Sequence, residues 1–394
     1  MLNSKPKGPW DVAVIGAGVF GAWTAYHLKK AGKRVVLIDA YGAGNDRSSS
    51  GDRSRIIRMG YGADEIYTRW ANRALGLWQD FFASINEPLF QRTGVLWLVH
   101  HDDPYPAKCA ATLARVGIEF ESLTTTELSQ RFPQFVADDL AWAMLEPESG
   151  ALIASRAVQA LVGEAISSGV DYRQQLVCPP IVSDSPNSSG QLDVLLTESG
   201  ERISAGAYVF ACGPWLPKLF PQLLGDRIHS TRQEVFYFDA QSRQRQFALS
   251  VLPIWIDFKD EAYGLPDLEN RGTKVAIDRH GPPFDPEVGN RTATADGLAE
   301  VRALLARRLP ALKDAAVLES RVCQYENTWN GDFLIDRHPA LANVWLVGGG
   351  SGHGFKHAPV VGEYVAARIE GTDVHVEPRF ALAAKKSGQD RAVF

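Results

Sequence analysis

No uninterrupted apolar run in this chain of 394 residues reaches the roughly 20 residues that a membrane-spanning helix needs, so a membrane is not an expected partner. There is no basic surplus either: 41 Lys and Arg stand against 46 Asp and Glu, a formal charge of -5. A duplex binder needs excess cations to neutralise phosphates, so nucleic acid is not expected. Cysteine is scarce. Cys109, Cys178, Cys212 and Cys323 lie far apart and form no CxxC pair, which argues against a disulfide framework and a cysteine-based zinc site; no metal is expected. The opening MLNSKPKGPW has no apolar stretch suited to a secretory signal, and a cytoplasmic protein is the expectation. What is present is core material. With 45% hydrophobic and 22% charged residues, the chain is not disordered, collagen-like or coiled-coil. Its length suits one large α/β domain or two sharing an interface, and no internal repeat is visible.

Asp11 to Ile15 is a short β-branched run that reads as a buried parallel strand. Glycines 16, 18 and 21 follow, then helical spacing from Ala22 to Lys30, a stop at Gly32, and a second strand Arg34 to Ile38 with Asp39 at its end. This is one βαβ unit. A Gly/Ser/Arg-rich loop covers 43–61. Helices are predicted at Tyr67–Phe82, Leu123–Arg131, Arg156–Ser168 and Leu298–Leu309. Strands are predicted at Arg92–His100, Gln191–Thr197, Tyr208–Ala211, Val235–Ala240, Thr273–Asp278 and Val344–Val347. Glu146–Leu152 reads as a loop, Gly348–Gly354 as a second glycine turn entering a helix that runs through Arg368, and the tail from Ala384 as frayed. Glycine-rich strand-to-helix turns thus open and close the chain.

GxGxxG alone is a weak signal, but here it lies between a strand and a helix, with Asp39 18 positions after Gly21. Gly16 permits the tight turn, Gly18 admits a pyrophosphate to the backbone, and Gly21 allows close helix–strand packing. The phosphates then meet the helix N-terminus, and Asp39 accepts from ribose hydroxyls. The motif does not decide between FAD and NAD; the second glycine loop, which would address the far end of a longer cofactor, favours FAD.

Other candidates are ambiguous on their own chemistry. Arg47, Arg53, Arg55 and Arg58 form either a solvated cluster with Asp46 and Asp52 or, since Ile56, Ile57 and Met59 interleave them, an inward cation seeking an anion. Lys356 at a helix start opposes the macrodipole and suggests a negative partner, yet a lone lysine there also reads as a snorkelling surface residue. Lys274 in an alternating strand reads as solvated, Cys323 as a small buried hydrophobe, and His353 as a packed residue.

The segments VIGAGVFG, SRIIRMGYG, RTGVLWL, EPESGAL, VFACGPW, AYGLP, TKVAID, CQYENTWNGDFLIDRHP and GSGHGFKHAPVVGE together resemble the monomeric sarcosine oxidase group of flavin amine oxidases, within the larger D-amino-acid oxidase superfamily. N-methyltryptophan and pipecolate oxidases are similar too. The resemblance implies FAD, a thioether from Cys323 to the flavin, a carboxylate grip by Arg58 and Lys356, Arg55 beside the flavin, Lys274 in oxygen activation, and Tyr61 and Tyr263 lining the substrate cavity. Three departures stand out. Ser50 replaces a histidine before Gly51, one extra residue lies between Gly51 and Arg55, and Asp278 stands where sarcosine oxidases carry histidine.

The expected fold is α/β: an FAD-binding Rossmann-like domain (1–90, 147–224 and 326–394) with an inserted α+β substrate domain on an antiparallel sheet (91–146 and 225–325). The expected cofactor-binding residues are Gly16, Gly18, Val19, Phe20, Gly21, Asp39, Ala40, Ser50, Arg55, Cys178, Cys212, Gly213, Trp215, Cys323, Gly350, Gly352, His353, Gly354, Phe355 and Lys356; Cys178, like Cys109, carries no argued chemistry. The expected catalytic set is Lys274, Arg55, Arg58 and Lys356, and the substrate set Arg58, Lys356, Tyr61, Tyr263 and Asp278. The expected activity is oxidation of a secondary (N-methyl or cyclic) amino acid to an imine by a monomer, with oxygen reduced to hydrogen peroxide. Two alternatives are a dehydrogenase of the same fold, passing electrons to a carrier or oxidising a hydroxy acid, and a flavin-binding module without turnover.

Overall fold

The computed structural model describes residues 9–181, 190–240, 244–372 and 376–388. Trp10–Ile15 sits inside a six-stranded sheet, ordered Leu334–His338, Leu341–Gly348, Ala205–Phe210, Trp10–Ile15, Val35–Asp39, Asp171–Gln174. All neighbours are parallel except the first pair. Its central strands are near-continuous Val, Ile, Leu and Phe because both faces are covered. Val19–Lys30 is buried on almost every side; it lies against Gly354–Glu370 and Ala154–Ser167. The two glycine turns, more than 300 residues apart, therefore open on the same side of one sheet.

A second sheet of eight strands is ordered Val317–Thr328, Ile228–Phe238, Thr273–Ile277, Ala262–Leu265, Ile254–Asp257, Val95–His100, Leu140–Glu146, Glu121–Leu123. It is antiparallel except where Ile254–Asp257 meets Val95–His100. One face buries its own core of Phe, Leu and Val side chains beneath Ala295–Arg308 and Thr125–Arg131. The latter helix begins with a capping box of Thr124 and Glu127. A parallel sheet flanked by helices joined to a large, mostly antiparallel one is the α/β class expected from the sequence.

Several local expectations fail: Arg55–Ile57, inside the predicted 43–61 loop, is a strand. Gly150–Leu152, read as loop, is a strand between Arg55–Ile57 and Phe90–Gln91; three residues are too few to show an alternation. In Gln191–Thr197 only Leu195–Leu196 pairs as a strand. The Asn343 side chain instead takes the backbone N–H and C=O of Leu192, at 2.8 and 3.0 Å. The expected fraying from Ala384 is not seen at its start: Leu382–Ala384 is a 3₁₀ turn, its first N–H held by Asp336 at 2.8 Å. Residues 389–394, and 1–8 of the opening segment, lie outside the described residues.

Candidate active site

Two connected cavities lie where the sheets meet. The larger, about 340 Å³, runs along the C-terminal ends of the parallel strands, where α/β folds bind nucleotides. Gly16, Gly18, Val19, Phe20, Asp39, Ala40, Ser50, Arg55, Cys212, Gly213, Trp215, Gly350, Gly352, Gly354 and Phe355 all line it. Gly16 has φ +101°, and a Cβ there would come within 2.3 Å of the Ala211 carbonyl oxygen, so only glycine fits. The Asp39 carboxylate fixes the turn, accepting from the N–H groups of Ala17, Tyr41 and Gly42 at 2.7–2.9 Å. Ser50 Oγ accepts from Val19 N–H at 3.1 Å, and no acid lies in the first turn of that helix. An anion is therefore not opposed there. Three polar atoms of lining residues, Gln175 Oε1, Trp215 Nε1 and Glu326 Oε1, are buried without a hydrogen-bond partner among the described residues. A long polar ligand satisfies what the protein leaves open.

The smaller cavity, about 80 Å³, is lined by Arg55, Arg58, Tyr263, Lys274, Asp278, Cys323, His353 and Lys356, with apolar Ile56, Val235, Ile256, Phe258 and Leu265. Arg55, Tyr325, Gly352 and Phe355 line both cavities, so a ligand in one abuts a ligand in the other. Arg58 and Lys356 are buried at 5% and 6% exposure. Among the described residues neither has a carboxylate within 4 Å. Arg58 stacks over the rings of Tyr61 and Trp97, at 4.5 and 4.9 Å, and donates to the Gly60 carbonyl. Lys356 Nζ donates to Tyr61 Oη at 2.9 Å and to the His353 carbonyl at 3.2 Å. Burial, then the Arg58 charge, pushes the Lys356 ammonium well below its ordinary pKa, with Asp278 and Glu146 opposing.

Several expected residues stand elsewhere than expected. Gly21 does not face the cleft; a Cβ there would strike the Gly16 carbonyl, so it serves helix–strand contact. Cys178 is absent from the lining: Val177 and Pro179 face the cleft, and alternation along extended backbone turns the residue between them away. Tyr61 is 1% exposed and outside the cavity wall; it stands behind Lys356 and also bonds His357 Nε2 at 2.9 Å. Cys323, in the middle of the strand Val317–Thr328, and His353 and Lys356, at the start of the helix Gly354–Glu370, line the smaller cavity rather than the cleft. Lys274, on a strand that reads as half-solvated, is 2% exposed.

Two functional residues escape the sequence. Asp52, which reads as part of a solvated cluster, is 1% exposed. It accepts from Lys274, from Arg55 at 2.7 Å and from Tyr237 Oη at 3.0 Å. Burial alone would raise its pKa, but Lys274 and Arg55 outweigh that and hold the carboxyl well below its usual range. Glu146 accepts from Met59 N–H, Gly60 N–H, Trp97 Nε1 and Ser149 Oγ at 2.7–3.0 Å, pinning the turn that carries Arg58. Its one signal is an acid closing the apolar strand Leu140–Glu146, where burial demands partners.

Residues 11–368 match the sequence profile of the family described as FAD dependent oxidoreductase. The chain is 31% identical over 365 residues to the peroxisomal sarcosine oxidase of Homo sapiens, covering 91% of each chain. It is 29% identical to the N-methyl-L-tryptophan oxidase of Salmonella arizonae, over 91% of this chain and 94% of that one. Among solved structures, L-proline dehydrogenase from P. horikoshii superposes with a TM-score of 0.83 at 23% identity, covering 97% of this chain and 99% of that one.

Proposed function

The chain belongs to the FAD-dependent oxidoreductase family and is sarcosine oxidase-like, and on that premise we propose that it oxidises a secondary amino acid, N-methyl or cyclic, to the imine, with oxygen reduced to hydrogen peroxide. The observation that carries this reading is the pair of buried basic groups, Arg58 and Lys356, facing a small cavity with no carboxylate within 4 Å of either among the described residues. Two buried cations together are costly unless an anion joins them. A substrate carboxylate supplies that anion, gripped by the guanidinium and by a lysine that the carboxylate recharges.

The larger cleft, with its glycine turns and unsatisfied polar atoms, suits FAD, and its walls supply the residues that would hold it: the Gly16–Gly21 turn, Asp39, Ser50, Trp215 and the Gly350–Phe355 segment. FAD, when bound, supplies the two-electron acceptor that amino-acid side chains lack. The protein fixes the reacting C–H against it by holding the carboxylate on Arg58 and Lys356, with Tyr61 orienting Lys356. Arg55 spans both cavities and is held by Asp52 and by the carbonyls of Ser49 and Ser54 at 2.7–2.8 Å, so its charge stays fixed at the junction. Cys323, in the wall of the smaller cavity, is the proposed point of covalent attachment, and Lys274 the cation for the oxygen step. The parallel-sheet segments form the proposed cofactor domain and the eight-stranded sheet the proposed substrate domain.

The test is an anaerobic screen of sarcosine, N-methyl amino acids, proline and pipecolate for loss of the flavin absorbance, followed by a peroxide assay under air. Bleaching by at least one of them, with stoichiometric peroxide, is expected; failure of all to bleach the flavin overturns the reading.

A further inference from the structure

The smaller cavity has a negative pole as well as a positive one. Four carboxylates line it: Asp52, Asp257, Glu261 and Asp278. Three already have cations. Asp52 is paired with Lys274 and Arg55, Asp257 with Arg308 at 3.1 Å, and Glu261 with Arg279 at 3.3 Å. Asp278 has no cation within 4 Å among the described residues. Its one side-chain hydrogen-bond donor among them is the hydroxyl of Tyr325, which also lines the junction with the cofactor cleft. The side chain is half-buried and its open part is presented to the cavity.

A secondary amino acid in water is a zwitterion, and its ammonium has no lone pair from which to drive C–H cleavage. With the carboxylate on Arg58 and Lys356, the ammonium must find a negative group or be stripped of its proton before oxidation. We propose that Asp278 receives the ammonium of the bound substrate and takes one proton from it, so that the amine enters the oxidation neutral. The N–H bond breaks with its electron pair left on nitrogen and a new O–H bond forms on Asp278; no electrons change hands in this step. The neighbours suit that task. Burial raises the Asp278 pKa above the usual carboxylate value, while Tyr325, Arg58, His280 and Lys356 oppose it. Phenols of Tyr61, Tyr263 and Tyr325 complete the titratable surroundings. A carboxylic acid with raised proton affinity, hydrogen-bonded on one oxygen, is a better match to an amine than an exposed aspartate.

This assignment rests on the secondary-amino-acid reading, and its test separates the two. Holoenzyme, Asp278→Asn and Asp278→Glu are titrated through the flavin spectrum with two unreactive carboxylates, methylthioacetate and trimethylglycine, which differ in a neutral sulfur against a fixed positive nitrogen. Asp278→Asn should weaken trimethylglycine about tenfold or more while leaving methylthioacetate within about twofold. The rate of anaerobic bleaching at saturating substrate is then followed against pH. In Asp278→Asn it should climb about tenfold per pH unit toward the amine's own pKa near about 10. Wild type should level off at lower pH, and Asp278→Glu should restore the wild-type shape. Equal weakening of both probes, or an unmoved pH profile in Asp278→Asn while the flavin still bleaches, overturns the role of Asp278 and leaves the oxidase reading intact. If no secondary amino acid bleaches the wild type, both fall together.

Discussion

Lys274 and Asp52, 222 residues apart in sequence, form an ion pair in the wall of the smaller cavity, each almost wholly buried. The same carboxylate holds Arg55 at 2.7 Å, so one anion stands between two cations of the site. Both partners' burial works against charge, and burial lowers the Lys274 pKa even though Asp52 opposes it.

Asp52→Asn leaves both cations without their shared anion and should destabilise the fold by about 3–5 kcal/mol, read from chemical denaturation. Because Asp52 titrates below its unfolded value, its contribution is complete at neutral pH. It fades only as pH falls below about 4 and through the folded pKa. A variant as stable as wild type at pH 7 would show that the pair contributes nothing net.

Lys274→Met keeps length and removes charge. Oxygen gains negative charge as it is reduced, so a buried ammonium helps that step and not cleavage of the substrate C–H bond. Stopped-flow mixing should show flavin bleaching by substrate little changed, and recovery of colour with oxygen slowed by orders of magnitude. Unchanged recovery would take Lys274 out of the oxygen step.

Covalent attachment through Cys323 predicts yellow colour in the pellet after acid denaturation, with Cys323→Ser releasing it to the supernatant. Wild-type colour wholly in the supernatant would refute the thioether while leaving FAD binding untouched.

The carboxylate grip predicts that Arg58→Ala weakens substrate binding by roughly 2–5 kcal/mol, and that the amide of the best substrate is a poor one. Binding should also draw a proton onto Lys356, whose pKa burial holds low, a proton uptake measurable by calorimetry in buffers of different ionisation enthalpy. Equal oxidation of acid and amide would contradict the grip.

Glu326 offers a pH test of the cofactor cleft. Burial raises its pKa from 4.5 to about 7, against the N–H groups of Gly349 and Gly350. Between those values the folded chain binds more protons than the unfolded one, so stability falls as pH rises through the window, by up to about 3 kcal/mol. In the Cys323→Ser background stripped of FAD, Glu326→Gln should flatten that slope between pH 5 and pH 8. An identical slope in both would mean that Glu326 is charged throughout.

The parts legible in the sequence are those whose chemistry is local. The Gly16–Gly21 turn needs its glycines within six positions, and the strands on either side announce themselves by composition. Arg58 and Lys356 are ambiguous in isolation, since inward and solvated cations look alike until a fold brings them to one cavity. Asp52 was illegible for a different reason. An aspartate among arginines normally marks a wet surface, and its partners Lys274 and Tyr237 come from strands almost 200 residues away or more. Glu146 is hidden because its four donors are mostly backbone N–H and distant side chains, which leave no trace in residue type. Cys178 misled by proximity: being in the right segment does not decide which way an extended residue faces.

The order of the parallel strands has a consequence for how the chain is made. Trp10–Ile15 and the first glycine turn leave the ribosome early, yet the strand gains its second neighbour only when Ala205–Phe210 emerges, and the cleft gains its far wall only with Gly348–Phe355. Until those segments are made the nascent chain carries an open edge of a buried-type sheet, the kind of surface that chaperones cover. Loading of FAD therefore waits for Gly348–Phe355, and a chain cut short before residue 348 should emerge colourless however intact its first motif.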